Sequence, residues 1–406
     1  MGLQRVSIEK RDMGASLLFF RPLRAIGLMS GTSLDGIDAA LLITDGRHVL
    51  ACGPTSTLAY DEVMRSRLRS VLAGTGPVFL TARELTLRHA EIVGRLLAHT
   101  ALDRREVDVI GFHGQTVLHR PDLRLTWQIG DGAALARMTG IDVVSDFRTA
   151  DIDHGGEGAP LVPIYHAALA RSLPERPIAV LNLGGVGNVT WIPSGENDGT
   201  SLLAFDTGPG NALIDDWVFR HTGHPLDQDG RLALAGRVDT EVLAALVENP
   251  YFDRPPPKSL DRDTFAPQRL LAQARGGRHA VLARLAADRG SRSLSLSDGA
   301  ATLTAFTAVA VSCAVPHFPA PPTRWLVCGG GRHNPALMAA LRQHLPVPVE
   351  PVEHVGWNGD ALEAQAFAFL AVRALRGLPL TFPGTTGVSY PITGGILHSA
   401  HIPQDS

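Results

Sequence analysis

Two stretches of the chain repeat one pattern: an apolar run, a polar turn rich in glycine and hydroxyls, and a second apolar run. The first, Arg24 to Ile43, turns through Ser30-Gly-Thr-Ser-Leu-Asp-Gly36; the second, Ile178 to Ile192, turns through Gly184-Gly185. Both predict buried hairpins whose turns use glycine at positive φ. Between them, Arg171-Ser-Leu-Pro-Glu-Arg-Pro177 is polar and proline-marked, which places the expected domain boundary there.

Each half then alternates strand and helix patterns. In the first, apolar spacing predicts a helix over Glu84–Leu97 and a strand over Val107–Phe112. Asp131 is placed to cap a short helix ending at Gly140, and Ile141–Ser145 is a further strand. In the second, Ala300–Cys313 reads as a buried helix and Trp325–Cys328 as a strand. Asn334 precedes Pro335 as cap and first position of a helix running to about Leu345. Asp360 starts a last helix that Gly377 ends, and the segment beyond is expected to be coil over the surface. Such alternation predicts an α/β fold with partly parallel sheets.

A length of 406 residues suits two domains, and 45% hydrophobic content excludes a disordered chain. No window reaches the run of about 18 apolar residues that a membrane span needs. The 3 cysteines form no C-x-x-C pair, so a disulfide framework is not expected and a reducing compartment fits best. A net charge of −3 argues against nucleic-acid binding. Lys10 and Lys258 are the only lysines among 37 basic residues, and the phosphate loop G-x-x-x-x-G-K-[ST] is absent. Residues 1–24 carry an apolar patch, Ala15–Phe20, behind Glu9 and Asp12; a poorly ordered extension suits them better than a signal peptide.

Three Gly-rich turns directly follow apolar strands. In Ser30–Asp38, small residues let backbone N–H groups approach an anion, and Asp35 or Asp38 could hold Mg²⁺ through water. A tight hairpin with hydroxyl turns explains the same residues. In Ala204-Phe-Asp-Thr-Gly-Pro-Gly-Asn211, Asp206 closes a strand, where α/β proteins place catalytic groups. The structural alternative has Asp206 capping a turn and Asn211 capping the next helix. In Val327-Cys-Gly-Gly-Gly-Arg-His-Asn334, consecutive glycines suit a flat or phosphate-bearing ligand, or simply a crowded strand–helix joint.

Other polar groups cluster near strand ends. His113 and Gln115 lie just past one, suited to hydrogen-bonding a hydroxylated ligand; His113 and His119 lack a third metal ligand. Arg148 could fork onto a ligand carboxylate or pair with Asp146 or Asp151. Lys258 follows Pro255-Pro-Pro257 and reads as an exposed loop lysine. Glu363 stands three residues after Asp360, the spacing of a capping box.

Taken together these strings resemble the anhydro-N-acetylmuramic acid kinase family. The resemblance rests on Met29–Asp38, His113-Gly-Gln-Thr116, Asp146-Phe-Arg148, Gly158–Pro163, Asn182-Leu-Gly-Gly185, Phe205–Asn211, Gly329–Gly331 with Asn334, and Asp360-x-x-Glu-Ala364. It implies two duplicated RNase H-like domains around a central nucleotide-binding cleft, as in the actin, sugar kinase and Hsp70 superfamily. The domains would run over 25–175, with the phosphate loop, and 176–398, with the catalytic Asp206, the C-terminal segment being able to pack back on the first. By the same resemblance ATP is held by Gly31, Thr32, Ser33, Leu34, Asp35, Gly36, Ile37 and Asp38, with Gly184, Gly185, Asn188, Gly208, Gly329, Gly330, Gly331 and Asn334. Asp35 would take Mg²⁺ through water, and His113, Gln115, Arg148 and Glu363 are the substrate candidates. A cytoplasmic homodimer is implied as well, with no nucleic-acid or membrane partner. The chain departs from the family at Lys258-Ser-Leu-Asp-Arg-Asp263, where Lys-Ser-Thr-Gly is usual, and at Gly132, where Pro is usual.

The implied reaction opens 1,6-anhydro-N-acetylmuramic acid with water and phosphorylates O6 from ATP, in recycling of peptidoglycan. An inverting glycosidase needs both a base and an acid; here the γ-phosphoryl group captures O6, so Asp206 alone suffices. Competing readings are another sugar or carboxylate kinase, an actin- or Hsp70-like ATPase module, and a plain glycosidase that would leave the Gly-rich turns idle.

Overall fold

The computed structural model describes residues 21–31, 33–195, 198–286 and 293–401. The reading of residues 1–20 and the role given to Thr32 lie outside them. The chain forms two compact units, one of residues up to 172 together with the segment from 361 onward, the other of residues 173–360.

In the first unit β1 (Leu23–Ser30), β2 (Gly36–Thr44) and β3 (Val49–Ala59) form an antiparallel meander. β4 (Val109–Arg120) and β6 (Val143–Ser145) add on the other side of β1 in parallel, with β5 (Leu125–Ile129) folded back on β4. β1 and β2 are almost continuously buried because both faces of the sheet are covered. One face packs Ile26, Leu28, Ile37, Leu85, Ile92 and Phe112 into a core. The other receives the helix Leu362–Leu375, which seats on glycines: a Cβ at Gly27 would lie 1.7 Å from the carbonyl of Ala364, and one at Gly111 2.0 Å from that of Phe367.

The second unit repeats this plan. β7 (Ile178–Leu183), β8 (Val186–Ile192) and β9 (Leu203–Pro209) form the meander, and β10 (Trp325–Cys328) and β11 (Val349–Pro351) add to β7 in parallel. The strand orders β3-β2-β1-β4-β6 and β9-β8-β7-β10-β11 match in sequence and direction, so the duplication legible in the hairpins extends to whole sheets. Leu296–Ser312 is the core helix, more buried than its amphipathic neighbours. Residues 296–317 do have the length and mean hydropathy (1.5) of a membrane span, an exception to the sequence expectation; the segment is mostly buried among Trp217, Phe252 and Phe205.

Several expectations change. β1 begins at Leu23, inside the supposed extension. The boundary given as 398 falls at Asp360, and the C-terminal segment packs back on the first unit, the alternative left open in the sequence, because the apolar helix Leu362–Leu375 finds its surface on β1, β2 and β4. The segment after Gly377 is not surface coil: Leu380, Phe382, Val388 and Ile392 are buried, and β12 (Ile396–His398) pairs antiparallel with β6. Asp360 caps nothing; the helix begins after Ala361 with no side-chain cap, and the capping box with Glu363 does not form. The hairpin turns are not built on glycine at positive φ either. Among the described residues of the first, Leu34 (φ 57) is the left-handed one, while Gly36 is required by space, since a Cβ would lie 2.6 Å from the carbonyl of Leu58.

Candidate active site

The turn between β1 and β2 is open at Gly31, Ser33 and Asp35 and anchored beneath. Ser33 Oγ donates to Asp35 (2.8 Å) and Thr57 Oγ1 to Asp38 (2.6 Å). Asp35 is exposed and Asp38 half-buried. Hard carboxylate oxygens at the mouth of a glycine- and hydroxyl-rich turn suit a water-rich Mg²⁺, which binds through one or two carboxylates plus phosphates. Ser30 is buried; its hydroxyl donates to Gln115 Oε1 (2.6 Å) and lies 2.7 Å from the Tyr60 hydroxyl. Gln115, fully buried within β4, braces the turn from behind. Neither it nor His113 lies past a strand end, for β4 continues to Arg120.

His113 Nδ1 donates to the carbonyl of Gly114 (2.8 Å), which leaves Nε2 to accept from Arg148 at 2.9 and 3.2 Å. Burial, and then the adjacent guanidinium, hold its pKa well below the usual histidine value. Arg148 also donates to the carbonyl of Gly158 (2.6 Å) and makes no ion pair with Asp146 or Asp151. Burial lowers its pKa to about 10, against the charges of Glu363 and Asp151. Asp151 accepts instead from Gly158 N–H (2.7 Å) and Thr386 (2.6 Å). His113 thus orients the arginine, and the charge of Glu363 acts on the same guanidinium. Beside it opens a cavity of about 310 Å³, lined by His113, Gln128, Asp131, Ser145, Asp146 and His398 among others. Asp146 there adopts φ 54, a conformation that costs energy and recurs at functional sites.

In the second unit Asp206 lies within β9, directly opposite Asn188 of β8 at a break in register. Its main-chain N–H donates to the carbonyl of Lys258 (3.0 Å), its carbonyl accepts from the Tyr251 hydroxyl, and its Oδ2 accepts from Leu260 N–H (2.8 Å). The carboxylate is half-buried. Asn211 does not cap the next helix with its side chain: Asn211 Nδ2 donates to the carbonyl of Leu183 (2.9 Å). The amides of Gly210, Asn211 and Ala212 reach the carbonyls of Gly184 and Gly185, so this loop is stitched to the second hairpin turn. Gly208 (φ 153) leaves room for Ala310.

The third turn follows β10. A Cβ at Gly329 (φ 75) would lie 2.3 Å from Asn182 Oδ1 and one at Gly331 2.6 Å from Leu183, so both are crowded; Gly330 meets nothing nearer than 4.0 Å. Asn334 caps the helix Pro335–His344 by accepting from Ala336 and Leu337 N–H. Buried Arg332 ties the turn down, donating to the carbonyl of Gly329 (3.0 Å) and pairing with Glu353 (2.9 Å) and Asp360 (2.8 Å).

Sequence reasoning missed Tyr251 and Tyr60, whose partners Asp206 and Ser30 lie 45 and 30 positions away, and Arg332, which pairs with Glu353 and Asp360. It also misplaced Lys258, which is buried rather than exposed. Its isolation in an arginine-dominated chain was the available signal.

Two copies of one five-strand plan, the first carrying a hydroxyl- and glycine-rich turn between its opening strands, define a mixed α/β class built from two duplicated sheets. Within it, the chain belongs to the anhydro-N-acetylmuramic acid kinase family, whose model matches residues 23–400. An anhydro-N-acetylmuramic acid kinase of Paramagnetospirillum magneticum is 57% identical over 374 residues, covering 92% of this chain and 99% of the relative. One of Rhodospirillum rubrum is 57% identical over 377 residues, covering 91% and 93%. Family and kinase class agree with the reading from motifs.

Proposed function

We propose that this chain converts 1,6-anhydro-N-acetylmuramic acid, ATP and water to N-acetylmuramic acid 6-phosphate and ADP. Asp206 takes a proton from water, whose oxygen forms a bond to C1 as the C1–O6 bond breaks. The O6 so released bonds to the γ-phosphorus as the bond to the β-phosphate oxygen breaks, and ADP leaves. The base proton passes to solvent. The observation that carries this reading is Asp206 itself, a half-buried carboxylate fixed through its main chain and one oxygen by the 251–260 segment.

Gly31 to Asp38 act as the phosphate turn, and Gly329 to Gly331 serve the adenosine side. Asp35 would hold Mg²⁺ through water, offsetting the negative charge of the phosphates. Arg148, forked and oriented by His113, supplies the cation for the sugar's carboxylate, with Glu363 beside it. ATP use and the free thiols of Cys52 and Cys313 support a reducing, cytoplasmic setting. A homodimer is the proposed assembly.

The test is turnover in ¹⁸O-water with ATP, Mg²⁺ and the anhydro sugar: label at C1 and phosphate at O6 are expected. ADP formed without sugar turnover refutes the proposal. Asp206→Asn should lower kcat by about 10²–10⁴-fold; near-wild-type turnover from a folded variant removes the base assignment.

A further inference from the structure

Lys258 is 5% exposed, yet none of its hydrogen-bond partners among the described residues is a carboxylate. Its Nζ donates to the carbonyls of Tyr251 and Phe252, 3.1 Å each, and lies 3.3 Å from His317 Nε2. The ring of Tyr251 is 4.8 Å away and that of Phe205 5.5 Å. Holding an ammonium ion in such surroundings is costly, and burial, with Arg254 adding, lowers its pKa to about 8. A compact ammonium can reach two adjacent carbonyls where a planar guanidinium would not fit the same geometry. That accounts for a lysine here in a chain whose only other lysine is Lys10.

The carbonyls it binds belong to the segment that grips Asp206. Tyr251 supplies the hydroxyl to the Asp206 carbonyl, Lys258 the carbonyl to its N–H, and Leu260 the N–H to its carboxylate. The side chain of Lys258 therefore ties residues 251–252 to residue 258 and closes the grip. Leu260 stands where the family usually has Thr, but its contribution comes from the main chain, which any residue except proline supplies.

We propose that Lys258 is a positioning residue for Asp206: its ammonium locks the 251–260 segment so that Leu260 N–H holds one carboxylate oxygen and fixes the direction of the other. The inference rests on Asp206 being the base. The charged and titratable groups around this lock are Asp253 and Arg254 on the same segment, and Cys313 and His317 beyond the core helix Leu296–Ser312.

The experiment measures kcat, both KM values and the pH profile of kcat/KM for Lys258→Met and Lys258→Gln, with thermal melting as the check of folding. Removing the ammonium is expected to lower kcat about 10–100-fold through misplacement of the base, with both KM values within about twofold of wild type. Loss of the Leu260 bond disfavours the carboxylate, so the acid limb should move to higher pH. Gln keeps N–H donors for the carbonyls and is expected to fall between Met and wild type; if the Met variant does not fold, Gln decides. Wild-type kcat, an unmoved acid limb, or a loss confined to KM overturns the inference. Asp206→Asn is measured in parallel. If that variant is active, the base assignment itself has failed; if it is inactive while both Lys258 variants behave as wild type, the positioning role alone has failed.

Discussion

Gly27→Ala is a one-carbon change whose outcome can be worked from the structure. Gly27 and Gly111 are neighbours in the parallel ladder of β1 and β4, and together they form the groove in which the helix Leu362–Leu375 lies. A Cβ at position 27 would stand 1.7 Å from the carbonyl oxygen of Ala364 and 2.5 Å from the nitrogen of Ala368, both main-chain atoms. A carbon and a carbonyl oxygen sit about 3.3 Å apart at closest comfortable contact, so the helix must back away by about 1.6 Å. Neither partner is the end of a flexible side chain, and the helix is buried along most of its length, which places the cost at about 3 kcal/mol or above. Gly94 is the matched control: it is exposed in the helix Val78–Thr100, with nothing within 4 Å of its would-be Cβ. There the same substitution should stabilise by about 0.5–1 kcal/mol, because alanine is the better helix former. Chemical denaturation followed by circular dichroism reads both. If Gly27→Ala unfolds within about 0.5 kcal/mol of wild type, the close seat of the helix is wrong.

Two further outcomes are expected. Arg148→Lys removes the fork onto His113 and the bond to the Gly158 carbonyl, so KM for the anhydro sugar should rise about tenfold with KM for ATP unchanged; steady-state kinetics with each substrate varied checks this, and an unchanged sugar KM would remove Arg148 from the substrate group. Burial, with Asp216 and Asp227 adding and Arg262 opposing, raises the Asp215 pKa to about 7. The folded chain then keeps a proton that the unfolded chain releases, so this group's contribution to stability falls as pH rises from about 4 to 7. Asp215→Asn should therefore melt above wild type at about pH 8, with the gap closing toward about pH 4; a gap independent of pH would contradict the raised pKa.

Local pattern was sufficient for much of this protein. Apolar runs punctuated by glycine and hydroxyl residues mark both hairpins, and Asp131 and Asn334 cap their helices because a capping bond spans only two or three residues. The ordered motifs were enough to name the family, since each motif lies within a few consecutive residues. What those residues touch was decided by the tertiary structure. Gln115 read as a substrate candidate from its local motif; its bond to Ser30, 85 positions away, follows only from the pairing of β1 with β4. Asp360 carried the spacing of a cap, yet Arg332 draws its carboxylate into an ion pair. The helix after it lies nearer in sequence to the second sheet and covers the first, because Gly27 and Gly111 leave a groove there that only a helix backbone fills. Lys258, written as an ordinary surface residue beside three prolines, becomes a buried lock once Tyr251 and Phe252 turn their carbonyls toward it. Short-range hydrogen bonding and periodic burial are encoded residue by residue, whereas desolvation and partner choice depend on which distant segments the packed core brings together.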